Sequence, residues 1–331
     1  MQLVLNTPGL MLKVHGGSFQ VTAGEEVRLI SPKQLSSIAI TSACLISSAA
    51  IELAVSYGLS IYLFDEIGDA VGCLRSPYFE SLATLRRKQV YFDDSPEAVV
   101  WVKSLFEEKT AEQVSALKYL ADRKEGAAEP IEQAIENIQR AIGDLGKIDG
   151  KLDEISRQLM GWEGNQSRMY WKAVSEGLPD AWKFPKRSRR PAEDGFNAVV
   201  NYLYGMLYTL VEQAIFAAGL DPHLGILHAD EYDAPTLAFD LIEPFRPWVD
   251  RLIIEQCITH KVDPGYFEQR RNGWFLNAMG KRFFIPLFNN WLEEKVRFRN
   301  KQMSRRLHIY RAAGELAARI NQFEKDVPDQ L

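Results

Sequence analysis

The sequence has little of what marks secreted, membrane-bound or zinc-thiolate proteins. Only three of its 331 residues are cysteines, and Cys44, Cys73 and Cys257 lie far apart without a CxxC spacing. This pattern argues against a disulfide framework and a zinc site, and it favours reduced cysteines in the cytoplasm. The start, MQLVLNTPGLMLKVHGG, has neither a basic leader nor an uninterrupted apolar stretch, so we expect no signal peptide and no membrane anchor.

An excess of positive charge is also missing, because the formal net charge is −5. That balance argues against a uniformly basic nucleic-acid-binding protein. Two segments are nevertheless strongly basic and free of acids, AWKFPKRSRRP at 181–191 and KVRFRNKQMSRRLHIYRA at 295–312. We expect the first to be a loop. In the second, Arg297, Lys301 and Arg305 recur every fourth residue, which predicts that they share one face of a helix.

The spacing of apolar residues changes near residue 80. Before it, short runs such as LVLN and SFQVTAG alternate with polar or glycine breaks, as in strands, with one helix near SSAAIELAVSYG. After it, apolar residues recur at helical spacing, with expected helices near 98–124, 130–164 (broken near its glycines), 197–219, 240–258 and 286–324. The length favours two domains. We predict an α+β protein with a small β-rich N-terminal domain (1–80), a linker (81–98) and a larger all-α C-terminal domain (99–331).

Two carboxylates interrupt the apolar run LAFDLIEPF. Asp240 and Glu243 are three residues apart, so on a helix they share a face and could approach the same ion. An alternative explains them without any chemistry. Asp240 is a good helix N-cap, and Asp-x-x-Glu resembles a capping box, with Pro244 tolerated in the first turn. The local sequence does not separate the two interpretations.

Two further residues could join such an ion. Glu163 and His228, taken singly, are explained as a helix-start acid and a hydrogen-bonded structural histidine. Together with Glu243 they make a set of two carboxylates and one imidazole, which suits Mg²⁺ or Mn²⁺ and leaves positions open for phosphate oxygens. An ion of that kind serves phosphodiester chemistry. The three residues are far apart in sequence, so their spacing alone does not establish the site.

Four stretches of the chain carry a likeness to one protein family. They are SSIAITSACLISSAAIELAVSYGLSIYLFDEIGDAVGCL, MGWEGNQSRMYW, RSRRPAEDGFNAVVNYLYGMLY and GILHADEYDAPTLAFDLIEPFRPWVD. In this order they resemble the strand–helix–strand core, the glutamate motif, the basic-proline stretch with its tyrosine-bearing helix, and the histidine motif of the Cas-one family. That family contains the integrase and metal-dependent DNA endonuclease of CRISPR adaptation. Gln166, Ser167 and Ala192 depart from the residues usual there.

The resemblance implies a metal site and a reaction. Carried over position by position, the ligands of Mg²⁺ or Mn²⁺ are Glu163, His228 and Glu243. Asp240 then matches a second acidic position beside the site, which in the family is sometimes a ligand and sometimes a supporting residue, and Arg246 is suited to a phosphate. The implied reaction is an attack by the 3′-hydroxyl of a short DNA duplex, the prespacer, on a phosphodiester at a repeat end of the CRISPR array. With water in place of the hydroxyl, the same site is an endonuclease.

The resemblance also implies partners. We expect double-stranded DNA, a homodimer in which the β-rich domain takes part, and a dimer of the small Cas-two protein bridging two such dimers, with no membrane partner. The expected DNA contacts are Arg187, Arg189, Arg190, Arg246, Arg297, Lys301 and Arg305. For the last three a solvated helix face is the alternative. Two other functions stay open, a general structure-specific nuclease acting on branched DNA and a non-catalytic DNA-binding scaffold.

Overall fold

The computed structural model describes residues 2–35, 37–65, 70–76, 83–123, 128–189, 191–228, 234–270 and 273–323. Strands dominate its N-terminal part. They are β1 (Gln2–Leu5), β2 (Met11–His15), β3 (Ser18–Ala23), β4 (Glu26–Ile30), β5 (Ser37–Ile40), β6 (Leu45–Ile46), β7 (Ser60–Phe64) and β8 (Ala70–Leu74). The helix α1 (Ser48–Ser56) connects β6 to β7.

These strands form two four-stranded sheets. In one, the order is β1-β5-β7-β8, with the first three strands parallel and β8 antiparallel to β7. In the other, the order is β4-β3-β2-β6, and β2 pairs antiparallel with β3 and parallel with β6. Fully buried side chains of both sheets, among them Leu12, Phe19, Ile38 and Ile61, pack with Ala50 of α1 in one core. The predicted strands with one embedded helix are therefore confirmed.

The C-terminal part is mostly helical and surrounds a larger core. Its helices are α2 (Ala83–Val90), α3 (Pro96–Ala121), α4 (Glu129–Lys147), α5 (Leu152–Gly177), α6 (Gly195–Ala217), α7 (Thr236–Leu241), α8 (Arg246–Ile258), α9 (Ala278–Glu293) and α10 (Arg305–Gln322). Two hairpins interrupt them, β9 (Phe267–Arg270) with β10 (Gly273–Leu276), and β11 (Lys295–Phe298) with β12 (Lys301–Ser304). The predicted fold class is confirmed. Among the described helices, none is long and apolar enough to cross a membrane.

The predicted domain boundaries stay predictions. The stretch 81–98, expected to be a linker, contains α2, and Leu85 of that helix is buried in the larger core. Val4 of β1 also packs against the larger core, so the two parts of the chain adjoin each other.

The prediction of one helix over 286–324 is wrong. Helix α9 ends at Glu293 and α10 begins at Arg305, with the hairpin β11–β12 between them. The cause is a two-residue turn, because Arg299 and Asn300 both have positive φ (46° and 57°), the combination that closes a tight hairpin. Arg297 and Lys301 therefore lie on two paired strands, and the helix face expected for them does not exist.

Helices α3, α4 and α5 approach each other closely at Gly177. A Cβ atom at that position would lie 2.4 Å from Leu120 of α3 and 2.8 Å from Ile131 of α4. Glycine gives these helices room, because a larger residue would require the side chains of Leu120 and Ile131 to shift within the core. This contact joins the C-terminal ends of α3 and α5, and the candidate site lies further back along the same two helices, at Lys109 and Glu163.

Candidate metal centre

Three elements bring Lys109, Glu163 and Glu243 together. Lys109 lies midway along α3, Glu163 lies in α5, and Glu243 opens a short 3-10 turn (Glu243–Phe245) between α7 and α8. The Lys109 ammonium donates a hydrogen bond to Glu163 Oε1 and another, 2.5 Å long, to Glu243 Oε2. Two carboxylates that are distant in sequence thus share one buried cation.

Lys109 is a residue that the sequence analysis missed. It lies on the buried face of α3, four residues from Leu105 and four from Gln113, and only 6% of it is exposed. A lysine in the apolar stripe of an amphipathic helix is the signal that could have revealed it, because lysine is rarely buried without a partner. The sequence does not show which acids that partner would be.

Arg246 balances the remaining charge of Glu243. Its Nη2 lies 3.1 Å from Glu243 Oε1, and its guanidinium also donates to the Tyr208 hydroxyl. Burial acts to raise the pKa of Glu243, but the charges of Arg246 and Lys109 outweigh it and hold that pKa at about 2. Burial likewise acts to lower the pKa of Lys109, but Glu243 and Glu163 together raise it. Both groups are therefore charged at neutral pH.

Asp240 organises the turn that carries His228. Its Oδ2 accepts hydrogen bonds from the backbone N–H groups of Ile226 (2.8 Å) and Leu227 (3.0 Å). Its Oδ1 accepts one from the backbone N–H of His228 (3.2 Å) and lies 2.6 Å from His228 Nδ1. The turn requires Gly225, because a Cβ atom there would lie 2.2 Å from the His228 carbonyl oxygen.

The interpretation of Asp240 as a helix N-cap is wrong. Helix α7 begins at Thr236, and Asp240 lies in its last turn with 1% exposure. Its carboxylate binds the neighbouring turn of chain instead of its own helix. Because Nδ1 of His228 faces Asp240, Nε2 is the nitrogen that the ring offers to an ion or a substrate. The hydrogen bond to Asp240 also raises the pKa of His228, despite burial.

The donor set suits a divalent ion, although its three members do not meet at one point. Within the described residues, no three His, Cys, Asp or Glu side chains converge as ion ligands. Glu163 and Glu243 meet at Lys109, and His228 is near enough to lower the pKa of Glu243. The Lys109 ammonium shows that a cation can bind both carboxylates at once. Two carboxylates and one imidazole are ligands that suit Mg²⁺ or Mn²⁺. Their assignment as ligands stays a prediction.

The chain matches a known protein family along most of its length. The family described as CRISPR associated protein Cas1 covers residues 3–290. The chain belongs to this Cas1 family. The resemblance drawn from its motifs is thereby confirmed. Over 317 residues the chain is 29% identical to the CRISPR-associated endonuclease Cas1 1 of Archaeoglobus fulgidus, covering 92% of each chain.

Solved structures share the Cas1 fold. A Cas1 protein from Thermotoga maritima superposes with a TM-score of 0.82 at 21% identity, over 100% of both chains. A casposase bound to an integration product gives a TM-score of 0.83 at 23% identity, covering 100% of this chain and 94% of the casposase. At these identities the likeness shows the fold alone.

A second buried cluster lies behind Arg246 in this Cas1-family chain. Asp250, one turn further along α8, accepts hydrogen bonds from the hydroxyls of Tyr204 (2.8 Å) and Tyr170 (3.2 Å). Burial raises the pKa of Asp250 to about 7, although the hydrogen bond from Tyr204 and the charge of Arg187 act to lower it. The guanidinium groups of Arg187 and Arg246 lie 5.6 and 5.3 Å from the Tyr204 ring centroid. The cluster therefore links the basic loop to the candidate metal centre.

Within the basic segment, residues 183–189 form a loop after a short 3-10 turn (Asp180–Trp182), as predicted. Arg187 donates to the side chains of Asn197 (2.9 Å) and Asn201 (2.7 Å), which anchors the loop on α6. Arg189 is exposed. Arg190, also predicted to contact DNA, lies outside the described residues.

The segment 295–312 has no acid in its sequence but meets acids in the fold. Arg299 binds Glu108 and Glu315, Arg306 binds Glu293, and Arg311 also binds Glu315. Arg305 donates to Glu294 (2.8 Å) and stacks 3.9 Å above the Trp291 ring. Arg297 and Lys301 are exposed and, among the described residues, have no carboxylate partner. They are the cations of this segment best placed to meet a phosphate.

Proposed function

We propose that this protein is a metal-dependent DNA integrase and endonuclease that inserts short DNA duplexes into a CRISPR array. The observation that carries the proposal is the convergence of Glu163 and Glu243 on one buried cation, with His228 near enough to Glu243 to lower its pKa. Its curated relative from Archaeoglobus fulgidus bears the name endonuclease, and the casposase of the same fold is described as bound to an integration product. Both descriptions agree with phosphodiester chemistry at this site.

The side chains have separate tasks in the proposed reaction. Glu163, Glu243 and His228 would hold Mg²⁺ or Mn²⁺, and such an ion supplies Lewis-acid stabilisation of the phosphate under attack. Asp240 keeps Nδ1 of His228 occupied and so directs Nε2 toward the site. Arg246 would keep its ion pair with Glu243, and its planar guanidinium can also bind a phosphate oxygen.

The proposed chemistry is a single displacement at phosphorus. The 3′-hydroxyl oxygen of the incoming duplex forms a bond to phosphorus, and the bond from that phosphorus to the 3′-oxygen of the repeat strand breaks. The attacking hydroxyl gives up a proton and the leaving 3′-oxygen gains one, so no ATP and no covalent protein intermediate are needed. Water in place of the attacking hydroxyl gives endonuclease cleavage at the same residues.

The proposed partners follow from the chemistry and from membership of the family. Prespacer and repeat are double-stranded DNA, and Arg189, Arg297 and Lys301 offer exposed cations to their phosphates. We propose that the protein works in the cytoplasm as a homodimer, with a Cas2 dimer bridging two such dimers.

An integration assay tests the proposal. A supercoiled plasmid carrying the repeat, a short duplex, Mn²⁺ and the Cas2 partner are combined with wild-type protein and with Glu163→Ala, His228→Ala and Glu243→Ala. Each substitution is expected to lower strand transfer by at least about a hundredfold, while binding of the duplex persists. Glu108→Ala is the matched control, because Glu108 also lies on α3 but accepts hydrogen bonds from Arg299 and not from Lys109.

The outcomes separate the alternatives. Full strand transfer by His228→Ala would contradict the metal assignment. Cleavage of branched DNA without any insertion would favour the general nuclease, and duplex binding without either reaction would favour the non-catalytic scaffold.

A further inference from the structure

We propose that Lys109 is an internal counter-ion of the metal centre, whose ammonium holds Glu163 and Glu243 together until a divalent ion displaces it. The lysine then sets how tightly the ion binds. This inference rests on the proposed function, since it presupposes that the two glutamates are ion ligands.

The contacts of Lys109 are those of an ion in a two-carboxylate site. Its ammonium binds Glu163 Oε1 and Glu243 Oε2 at the same time. Its side chain is 8% exposed, as is that of Glu243, so solvent screens this interaction little. Without a cation between them, the two buried carboxylates would repel each other. The lysine therefore keeps the ligands in place when no divalent ion is bound.

The ammonium and a divalent ion cannot occupy this place together. Oxygen ligands lie about 2.0–2.1 Å from Mg²⁺, so an ion shared by Glu163 and Glu243 would lie in the space between the two carboxylates that the ammonium now fills. Two cations on the same pair of oxygens would also repel each other strongly in a buried site. The flexible four-carbon stem of lysine allows the ammonium to withdraw when the ion arrives.

Arg246 and Ser167 do not compete in the same way. Arg246 binds Oε1 of Glu243, the oxygen that faces away from Lys109. Ser167 donates to Glu163 Oε1 from the next turn of α5 (2.6 Å), and a hydroxyl can share that oxygen because it carries no charge. The charge balance also favours departure of the Lys109 ammonium. The two carboxylates already neutralise Lys109 and Arg246. A divalent ion added to all four groups would leave a buried excess of two positive charges, whereas departure of the ammonium lowers that excess.

Direct measurement of Mn²⁺ binding tests the inference without any activity assay. Metal-free wild-type protein and Lys109→Met are titrated with Mn²⁺, and free Mn²⁺ is followed by electron paramagnetic resonance. Methionine is unbranched and only one atom shorter than lysine, and it removes the competing charge. We expect Lys109→Met to bind Mn²⁺ at least about tenfold more tightly than wild type. Lys118→Met, an exposed lysine on the same helix, is the matched control and should leave the affinity unchanged.

Thermal unfolding provides a second readout. In a chelator, Lys109→Met should unfold at a lower temperature than wild type, because its glutamates have lost their counter-ion, and saturating Mn²⁺ should raise its Tm more than that of wild type. If the methionine variant does not fold, Lys109→Gln serves the same comparison, since its amide can still donate to one carboxylate.

The results distinguish failure of this inference from failure of the metal site. Equal or weaker Mn²⁺ binding by Lys109→Met, with wild-type binding abolished by Glu243→Ala, would overturn the competition and leave the metal centre standing. Absence of Mn²⁺ binding by wild type and by every variant would overturn the metal centre itself, and the inference with it.

Discussion

Two charged regions of the molecule use the same residue types in opposite ways. Around Glu243, the side chains of Lys109, Glu243 and Arg246 are 8%, 8% and 11% exposed, and each cation faces a particular carboxylate oxygen. Along the hairpin β11–β12 and the start of α10, the acids that neutralise arginines are more exposed than Glu243, from 25% for Glu108 to 60% for Glu294. Burial thus makes each charge at the site depend on its partner, whereas solvent can replace the partners at the hairpin.

The largest expected effect is on the stability of the buried cluster. Glu243→Ala leaves Lys109 and Arg246 buried without their shared carboxylate, which should lower the free energy of unfolding by about 3–5 kcal/mol. Urea denaturation in a chelator measures it. The matched surface variant is Glu294→Ala, which frees Arg305 near solvent and should cost at most about 1 kcal/mol. Equal losses in the two variants would abolish the distinction between the regions.

The next effect concerns pH and the cluster behind the site. The pKa of Asp250 is about 7 in the folded protein and 3.8 is its ordinary value, so between these values the folded state binds more protons than the unfolded chain. Stability contributed by this group should therefore fall as pH rises from about 4 to about 7, by up to about 1.4 kcal/mol per pH unit, and then level off.

Asp250→Asn isolates this contribution. The amide has nearly the same shape and can still bond Tyr204 and Tyr170, but it does not ionise. Urea denaturation across this pH range measures the unfolding free energy of both proteins. As pH rises, wild type should lose stability relative to the Asp250→Asn variant. A difference that is constant with pH would show that Asp250 is ionised throughout.

A smaller effect is expected at Asp240, which acts on the candidate metal centre by orienting His228. Asp240→Asn keeps an oxygen for the turn but weakens its hold on Nδ1 of His228, so Mn²⁺ affinity should fall by about 10–100-fold. A Mn²⁺ titration measures it. Asp263→Asn is the control, because Asp263 is an exposed acid that only caps a 3-10 turn. Unchanged affinity in Asp240→Asn would mean that Asp240 does not position an ion ligand.

Secondary structure could be predicted from the sequence, whereas contacts between residues that are distant in sequence could not. Alternating apolar runs and helical spacing predicted the β-rich start and the helical remainder, because these depend on local periodicity. The turn at Arg299 and Asn300 was missed because no glycine marks its positive φ angles. The local sequence left the role of Asp240 open between a helix cap and an acid beside an ion, since its partners at 226–228 are brought near it only by the fold. The role of Lys109 was missed for the same reason, because its partners Glu163 and Glu243 are distant in sequence.

The smallest effect on stability is expected at the exposed cations of the hairpin. The double variant Arg297→Glu, Lys301→Glu should change the free energy of unfolding by no more than about 0.5 kcal/mol, because neither side chain has a carboxylate partner among the described residues. Duplex affinity should nevertheless fall, and the slope of log affinity against log salt should become shallower by about 2, one for each lost phosphate contact.

The matched control for that variant carries the same change of charge elsewhere. Lys33→Glu, Lys118→Glu alters two exposed lysines, one in the N-terminal part and one on α3, and should leave the salt slope as it is in wild type. Equal losses of affinity in both double variants would show that net charge alone governs binding, and the hairpin would have no place in the DNA path. A loss confined to the hairpin variant would show that Arg297 and Lys301 bind DNA although they contribute little to stability. The buried and paired cations are less available to phosphates, because they already bind carboxylates of the protein.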